Sequence, residues 1–187
     1  MAFCIALVGM PGAGKSTVGK HVARALALPF FDSDVEVEHK VGMSVRAYFD
    51  THGEAQFRDL EQRVIDDLSE RSCVFATGGG SVLRDENRRR LKERCTVVYL
   101  RSSPEELYRR LRHDKQRPLL QVDDPQRKLR DLYQARDPLY RSTAHYVIET
   151  GKPSVASLTN MILMQLELAG VVSALRPGTG EGKPVPD

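Results

Sequence analysis

The stretch Gly9-Met10-Pro11-Gly12-Ala13-Gly14-Lys15-Ser16 fits G-x-x-x-x-G-K-[ST], and it sits where that pattern has a physical meaning. Residues 3–8 in front of it are an apolar run of strand length. Residues 14–28 behind it read as a helix with Val18, Val22, Ala25 and Leu26 on one face. Strand, glycine-rich loop and helix together make a phosphate-binding turn. Backbone N–H groups must come within hydrogen-bond distance of phosphate oxygens, and side chains would obstruct that approach. The helix start adds its free N–H groups and its dipole. Lys15 brings a full positive charge toward the outer phosphates. Ser16 offers a hydroxyl to Mg²⁺, an ion that prefers oxygen ligands and bridges substrate phosphates.

The rest of the chain predicts what surrounds this turn. Pro29 is the expected stop of the first helix, followed by a short strand at 30–32 and a short helix at 35–40 ending at Gly42. A helical piece from Val45 is interrupted at Gly53, and a long charged helix over 54–71 carries Phe57, Leu60, Val64 and Leu68 on its apolar side. Apolar strands at 73–77 and 96–100 flank a helix at 84–93. Ser103-Pro104-Glu105-Glu106 starts another helix to about Leu111. Residues 113–124 read as a loop, Asp124-Pro125 opens a helix to about Tyr140, 145–149 is a last strand and 153–168 a closing helix. Residues 176–187 hold Gly, Pro and charge with almost nothing to bury, and are expected to be a disordered tail. Strands that alternate with helices and are apolar throughout belong to an α/β fold, a parallel sheet covered on both faces. Ligands of such sheets sit beyond the carboxyl ends of the strands. Residues 9–16, 32–34 and 78–80 all follow strand ends, so they are expected to converge on one cleft.

Composition narrows the partners. With 187 residues, 41% apolar and 28% charged, the chain suits one globular domain over 1–170 plus the tail. Its net charge of +3, from 28 basic and 25 acidic residues, is too small to argue for nucleic acid, and Arg88-Arg89-Arg90 reads as solvated helix surface. No apolar run approaches a membrane span, and no basic segment precedes the first strand as in a signal peptide. Cys4, Cys73 and Cys95 are odd in number and widely spaced, which suits small buried hydrophobes in a reducing cytoplasm better than disulfides or a metal pair.

Other constellations carry chemistry to different degrees. In Asp32-Ser33-Asp34, one carboxylate can hold Mg²⁺ and the other can accept a hydroxyl proton during phosphoryl transfer. The same residue types also serve as a turn and helix cap, so the functional choice rests on their place at a strand end. Arg58 and Glu61 are helix neighbours, and a fixed guanidinium grips a carboxylate well. By themselves they read as a surface ion pair; Phe49 and Phe57 could wall one side of a small cleft, but by themselves read as core aromatics. Gly78-Gly79-Gly80 after a buried strand points to a ligand close to bare backbone. Arg117-Pro118-Leu119-Leu120 lies in an irregular stretch that can close over ATP and exclude water. Arg110 reads either as part of a solvated face with Arg109 and Arg112 or as a neighbour of the adenine. Arg136 could be a second anion clamp.

Taken together, residues 9–17, Asp32-Ser33-Asp34, Gly53-Glu54 with Phe57-Arg58 and Glu61, Ala76-Thr77-Gly78-Gly79-Gly80, Arg117-Pro118-Leu119-Leu120 and Arg136 with Pro138 and Tyr140 closely resemble the shikimate kinase family. The resemblance spans about residues 3–168. It implies a three-layer, nucleoside-monophosphate-kinase-like P-loop fold, with a five-stranded parallel sheet in the order 2-3-1-4-5. It also implies ATP-dependent phosphorylation of the 3-hydroxyl of shikimate, on the route to chorismate and aromatic amino acids. Carried onto this chain, it makes Gly12, Ala13, Gly14, Lys15, Ser16 and Thr17 the ATP loop, with Arg110, Arg117 and Lys152 as further ATP contacts. Ser16 and Asp32 become the Mg²⁺ site. Asp34, Arg58, Gly79, Gly80 and Arg136 become the shikimate site. Lys15, Asp34 and Arg117 would be the catalytic residues. Residues 35–61 correspond to a shikimate-binding subdomain and 112–124 to a lid. Where members often carry an arginine near the adenine, this chain has Thr150-Gly151-Lys152-Pro153. The enzyme so implied is a cytoplasmic monomer, with shikimate and ATP as its partners and neither nucleic acid nor membrane. The rival reading is another small P-loop kinase, such as a gluconate kinase.

Overall fold

In the computed structural model, which describes residues 2–115 and 120–172, strand β1 (Cys4–Val8) is buried at every position. A strand hidden on both faces must lie inside a sheet with layers on either side. β1 pairs in parallel with β3 (Cys73–Ala76) on one flank and β4 (Thr96–Arg101) on the other. β2 (Phe30–Asp32) and β5 (Tyr146–Glu149) complete a five-stranded sheet in the order β2-β3-β1-β4-β5. Each strand leads into a helix or turn, so every connecting loop that follows a strand opens at the same edge.

The helices end where local chemistry stops them. Helix α1 (Lys15–Ala25) stops a turn short of Pro29. Ala27 adopts a left-handed conformation (φ 53°), its N–H donates to Arg24 O at 3.2 Å, and Leu28 N–H donates to Ala23 O at 2.9 Å. That is a Schellman cap with alanine where glycine is usual, so the stop lies in the backbone and not at the proline. Helix α2 (Ser33–Val41) is capped by Asp32 and ends at Gly42. Helix α3 (Val45–Ser69) contains the expected break: Gly53 lies at φ 82°, ψ 171°, outside helical geometry and in a region a side chain would strain. Helix α4 (Asp85–Arg94) and α5 (Pro104–Leu111) follow, the latter with a full capping box between Ser103 and Glu106.

Helix α6 (Pro125–Thr143) runs past the expected end near Tyr140 despite the internal Pro138. Ser142 and Thr143 hydroxyls donate to Leu139 O, and Ala144 N–H closes on Tyr140 O. Helix α7 (Val155–Leu168) begins two residues later than expected because Ser154, not Pro153, caps it. Among the described residues no helix is long and apolar enough to cross a membrane.

Candidate active site

The phosphate loop leaves β1 and turns into α1 through backbone that glycine makes accessible. Gly12 lies at φ 83°, and a Cβ there would stand 2.8 Å from the Leu111 side chain. Gly14, at φ 92°, is the N-cap of α1. The helix N–H groups therefore face the edge where the strands end, a built anion site. The Lys15 ammonium lies over the loop, donating to Gly9 O at 2.7 Å and Met10 O at 2.9 Å.

Asp32 serves two purposes at once. One carboxylate oxygen accepts the N–H groups of Asp34 and Val35, capping α2, and the other accepts the Ser16 hydroxyl at 2.6 Å. The cap and metal readings of the Asp-Ser-Asp stretch are thus compatible. A serine hydroxyl beside a carboxylate, at the mouth of a phosphate loop, supplies the hard oxygen donors that Mg²⁺ takes from protein when phosphates and water complete its shell. The described residues contain no cluster of three or more His, Cys, Asp or Glu side chains fit for a metal.

Across the cleft, Asp34 projects from the first turn of α2 toward the glycine run. Burial, then the neighbouring Asp32 charge, push its carboxyl above the ordinary carboxylate range, while Lys15 and Arg58 pull against the shift. Ser33, fully buried, accepts the Gly78 N–H at 3.0 Å and ties α2 to the end of β3. A Cβ on Gly78 would stand 2.7 Å from Asp34 Oδ1, and one on Gly79 2.7 Å from Pro11 Cδ. On Gly80 it would meet Arg58 Cζ at 2.7 Å. The expected reason for this run was a ligand against bare backbone. The structure supplies a nearer one: three site side chains, Asp34, Pro11 and Arg58, occupy the space that side chains here would need.

Arg58 and Glu61 are not the surface pair their spacing suggested. Arg58 is 12% exposed and Glu61 1%, joined at 2.8 Å. Burial raises the Glu61 carboxyl, and Arg58 opposes the rise. Phe49 and Phe57, on either side of the Gly53 break, pack at 4.5 Å between ring centroids. The guanidinium lies 5.8 and 5.2 Å from them, within cation–π reach. Arg58 Nε and Glu61 Oε2 are buried without a protein partner. Arg136 comes from α6, one turn before Tyr140, whose hydroxyl donates to Gly79 O at 2.5 Å. Burial pushes the Tyr140 phenol up to about 12. Asp137, which follows Arg136, accepts from Tyr99 Oη at 2.8 Å and Arg101 Nε at 3.1 Å, which moors this part of α6 to β4, and from Arg141 Nε at 2.9 Å within the helix.

These groups share a cleft of about 680 Å³. Of the sequence-derived residues, Gly12, Gly14, Lys15, Ser16, Thr17, Asp32, Asp34, Gly79 and Arg136 line it. Ala13 is buried behind the loop. Arg58 and Gly80 adjoin the cleft without being among its lining residues. Arg110 is exposed on α5, as a solvated face requires. It straps the loop from the far side, donating to Thr150 O at 2.9 Å and, more weakly, to Gly12 O and Ala13 O at 3.4 Å. With Glu106, Arg109 and Gly151 it lines a separate cavity of about 230 Å³. Lys152 is exposed beside that cavity and does not line it. Arg117 and the 176–187 tail lie outside the described residues, and only parts of 112–124 fall within them. Arg88, Arg89 and Arg90 each pair with an acid; Arg89 is exposed, whereas Arg88 and Arg90 are half-buried and not the fully solvated face expected. Sequence reasoning gave no role to Ser33 or Thr77, although both lie inside motifs it singled out, and it missed Leu132, which left no signal.

A phosphate loop and a separate charged pocket at one edge of a parallel sheet define a P-loop kinase of small molecules. The shikimate kinase family model matches residues 11–167. Shikimate kinases of Ralstonia nicotianae and Burkholderia pseudomallei are 60% and 58% identical, covering 88% and 90% of this chain and 87% and 92% of theirs. The shikimate kinase of Acinetobacter baumannii in complex with shikimate has a TM-score of 0.85 at 46% identity, over 91% of this chain and 95% of that one. The chain belongs to the shikimate kinase family. A gluconokinase from Sinorhizobium meliloti, at TM-score 0.57 and 18% identity, covers 89% of this chain and 93% of its own and shares the fold alone.

Proposed function

We propose that this chain transfers the γ-phosphoryl group of ATP to the 3-hydroxyl of shikimate, giving ADP and shikimate 3-phosphate. The observation that carries this is the meeting, in one cleft, of Lys15 and the Ser16–Asp32 pair with Asp34 and Arg136. It is joined to family membership.

The loop N–H groups and Lys15 hold the ATP phosphates, and Thr17 lines the same mouth. Ser16 and Asp32 would hold Mg²⁺, which when bound neutralises phosphate charge. Arg58 and Arg136 take the shikimate carboxylate, Arg58 being fixed for the task by Glu61. The backbone at Gly79 and Gly80 contacts the substrate, and the missing side chain at Gly80 leaves room for the Arg58 guanidinium. Asp34 accepts the proton of the attacking hydroxyl as the new P–O bond forms and the bond to ADP breaks. A carboxylate made more basic by burial is a better acceptor for that proton. Residues 35–61 serve as the substrate-binding subdomain and 112–124 as the lid, with Arg117 as its catalytic arginine. Arg110 and Lys152 stand on the adenine side. The enzyme acts as a cytoplasmic monomer with neither nucleic acid nor membrane as partner.

The test is ATP-dependent ADP release with shikimate, gluconate or a nucleoside monophosphate as acceptor, with the product identified by mass. Shikimate should be the substrate by a wide margin. Turnover of gluconate with none of shikimate would overturn the proposal.

A further inference from the structure

The three cysteines, far apart in sequence, lie side by side in space. Cys4 is paired in register with Cys73 on β3. Because Ile5 pairs with Thr96, Cys4 also sits beside Cys95, which caps the end of α4 just before β4. All three are buried, and Cys4 Sγ and Cys95 Sγ are 3.3 Å apart. Adjacent strands run about 4.8 Å apart, inside the Cα separation of about 4.4–6.8 Å that disulfides span. The row stands at the amino-terminal edge of the sheet, opposite the phosphate loop.

The three are not equivalent. A cavity of about 330 Å³ opens at this edge, lined by Cys4 and Cys95, by the bases Lys92, Arg94 and His145 and by one acid, Glu93, and not by Cys73. Exposure follows the same division: 5% for Cys4, 6% for Cys95 and 0% for Cys73. Basic side chains at a thiol favour its thiolate, the reactive form. The hydrogen bond with Cys4 draws the Cys95 thiol below its ordinary range against burial, with Ser69 and Arg94 adding to the shift; Cys4 draws Cys73 down too, so the division between them rests on the cavity.

We propose that Cys4 and Cys95 are an oxidisable pair that closes to an intramolecular disulfide on exposure to hydroperoxide. The Cys95 thiolate attacks the peroxide. An S–O bond forms, the O–O bond breaks, and the departing hydroxide takes up a proton to leave as water. Cys4 then attacks the sulfenic sulfur. The S–S bond forms, the S–O bond breaks, and the Cys4 proton leaves with the hydroxide as a second water. Two thiols lose two electrons to one peroxide. Cys73 remains a thiol.

The experiment treats the native full-length chain with hydrogen peroxide, blocks the remaining thiols by alkylation, and maps the product by intact and peptide mass spectrometry. The expected product is two hydrogens lighter than the reduced chain before alkylation and takes up a single alkyl group after it, on Cys73, with a Cys4–Cys95 linked peptide. Cys73→Ser should keep that link, and Cys95→Ser should lose it. A Cys4–Cys73 link, an intermolecular disulfide, or sulfinic acid without any link would overturn the proposal. So would three free thiols in the native wild-type chain under peroxide that links the same chain once denatured.

Discussion

Between Gly9 and Ser16 the phosphate loop offers mostly backbone N–H groups, drawn from eight consecutive residues at the start of one helix. Across the cleft, Asp34, Arg58 and Arg136 come from α2, α3 and α6 and offer side-chain charge. On the proposed reading, the first arrangement would bind what every nucleotide shares, and the second would bind one acceptor. The loop is rigid by backbone geometry. The acceptor side is rigid only because other residues hold it: Glu61 on Arg58, Ser33 on Gly78, Tyr140 on Gly79 and three donors on Asp137. Damage to the loop should therefore be felt through ATP, and damage opposite it through shikimate.

The largest expected effect is at the meeting point of the two. Asp34→Asn should lower kcat by about 10²- to 10⁴-fold, the usual range for losing a general base, with ATP binding little changed. A near-normal kcat would remove Asp34 from the chemistry. The same substitution has a stability signature. A carboxyl raised above its unfolded value stabilises the fold fully only below that unfolded value, and that contribution is lost as pH rises through the folded value. Asp34→Asn should then melt higher than the parent at neutral pH, with the gap closing as pH falls to about 4, the ordinary range for aspartate. A gap that widens on acidification would reverse the sign.

Next in size, Lys15→Ala should cost about 10²- to 10³-fold in kcat, the scale of losing one preorganised charge stabiliser, and should weaken MgATP binding while leaving shikimate binding intact. Arg58→Ala should do the converse. A lost charge-assisted contact of about 1.5–3 kcal/mol raises the KM for shikimate about 10- to 100-fold, with a smaller change in kcat. It should also destabilise the fold, because Glu61 is left buried beside an empty place. If Arg58→Ala raised the KM for ATP instead, the division between the two halves would fail. The smallest effect sharpens the same point without removing a charge. Gly80→Ala puts a methyl against the Arg58 guanidinium, so the KM for shikimate should rise several-fold with ATP kinetics unchanged.

The same contrast governs what could be read from the sequence. The loop, its strand and its helix were legible because they are contiguous, and so was the break at Gly53, which needs a backbone angle only glycine tolerates well. The acceptor side was not legible from spacing. Arg58 and Glu61 at three residues apart look like any exposed helix pair, since burial depends on the packing of Phe49, Phe57 and Gly80 around them. Only the resemblance to a family singled them out. Gly78-Gly79-Gly80 was noticed, but the side chains that crowd it come from Pro11, Asp34 and Arg58, at distances along the chain that no local pattern encodes. The meeting of Cys4, Cys73 and Cys95 was hidden in the same way. It follows from strand order, which the residues around each cysteine do not contain. The end of α1 was misplaced because Pro29 is a conspicuous stop, whereas the left-handed turn at Ala27 leaves no mark in an alanine.

The central claim is that ATP and shikimate meet over the ends of β1, β2 and β3, with Asp34 between them. A crystal structure with MgADP and shikimate tests it most directly. The account predicts the 3-hydroxyl within about 2.6–3.2 Å of the Asp34 carboxylate, the substrate carboxylate on Arg58 and Arg136, and the diphosphate in the loop of Lys15. Shikimate bound elsewhere, or bound in this cleft with its carboxylate turned away from both arginines, would contradict it.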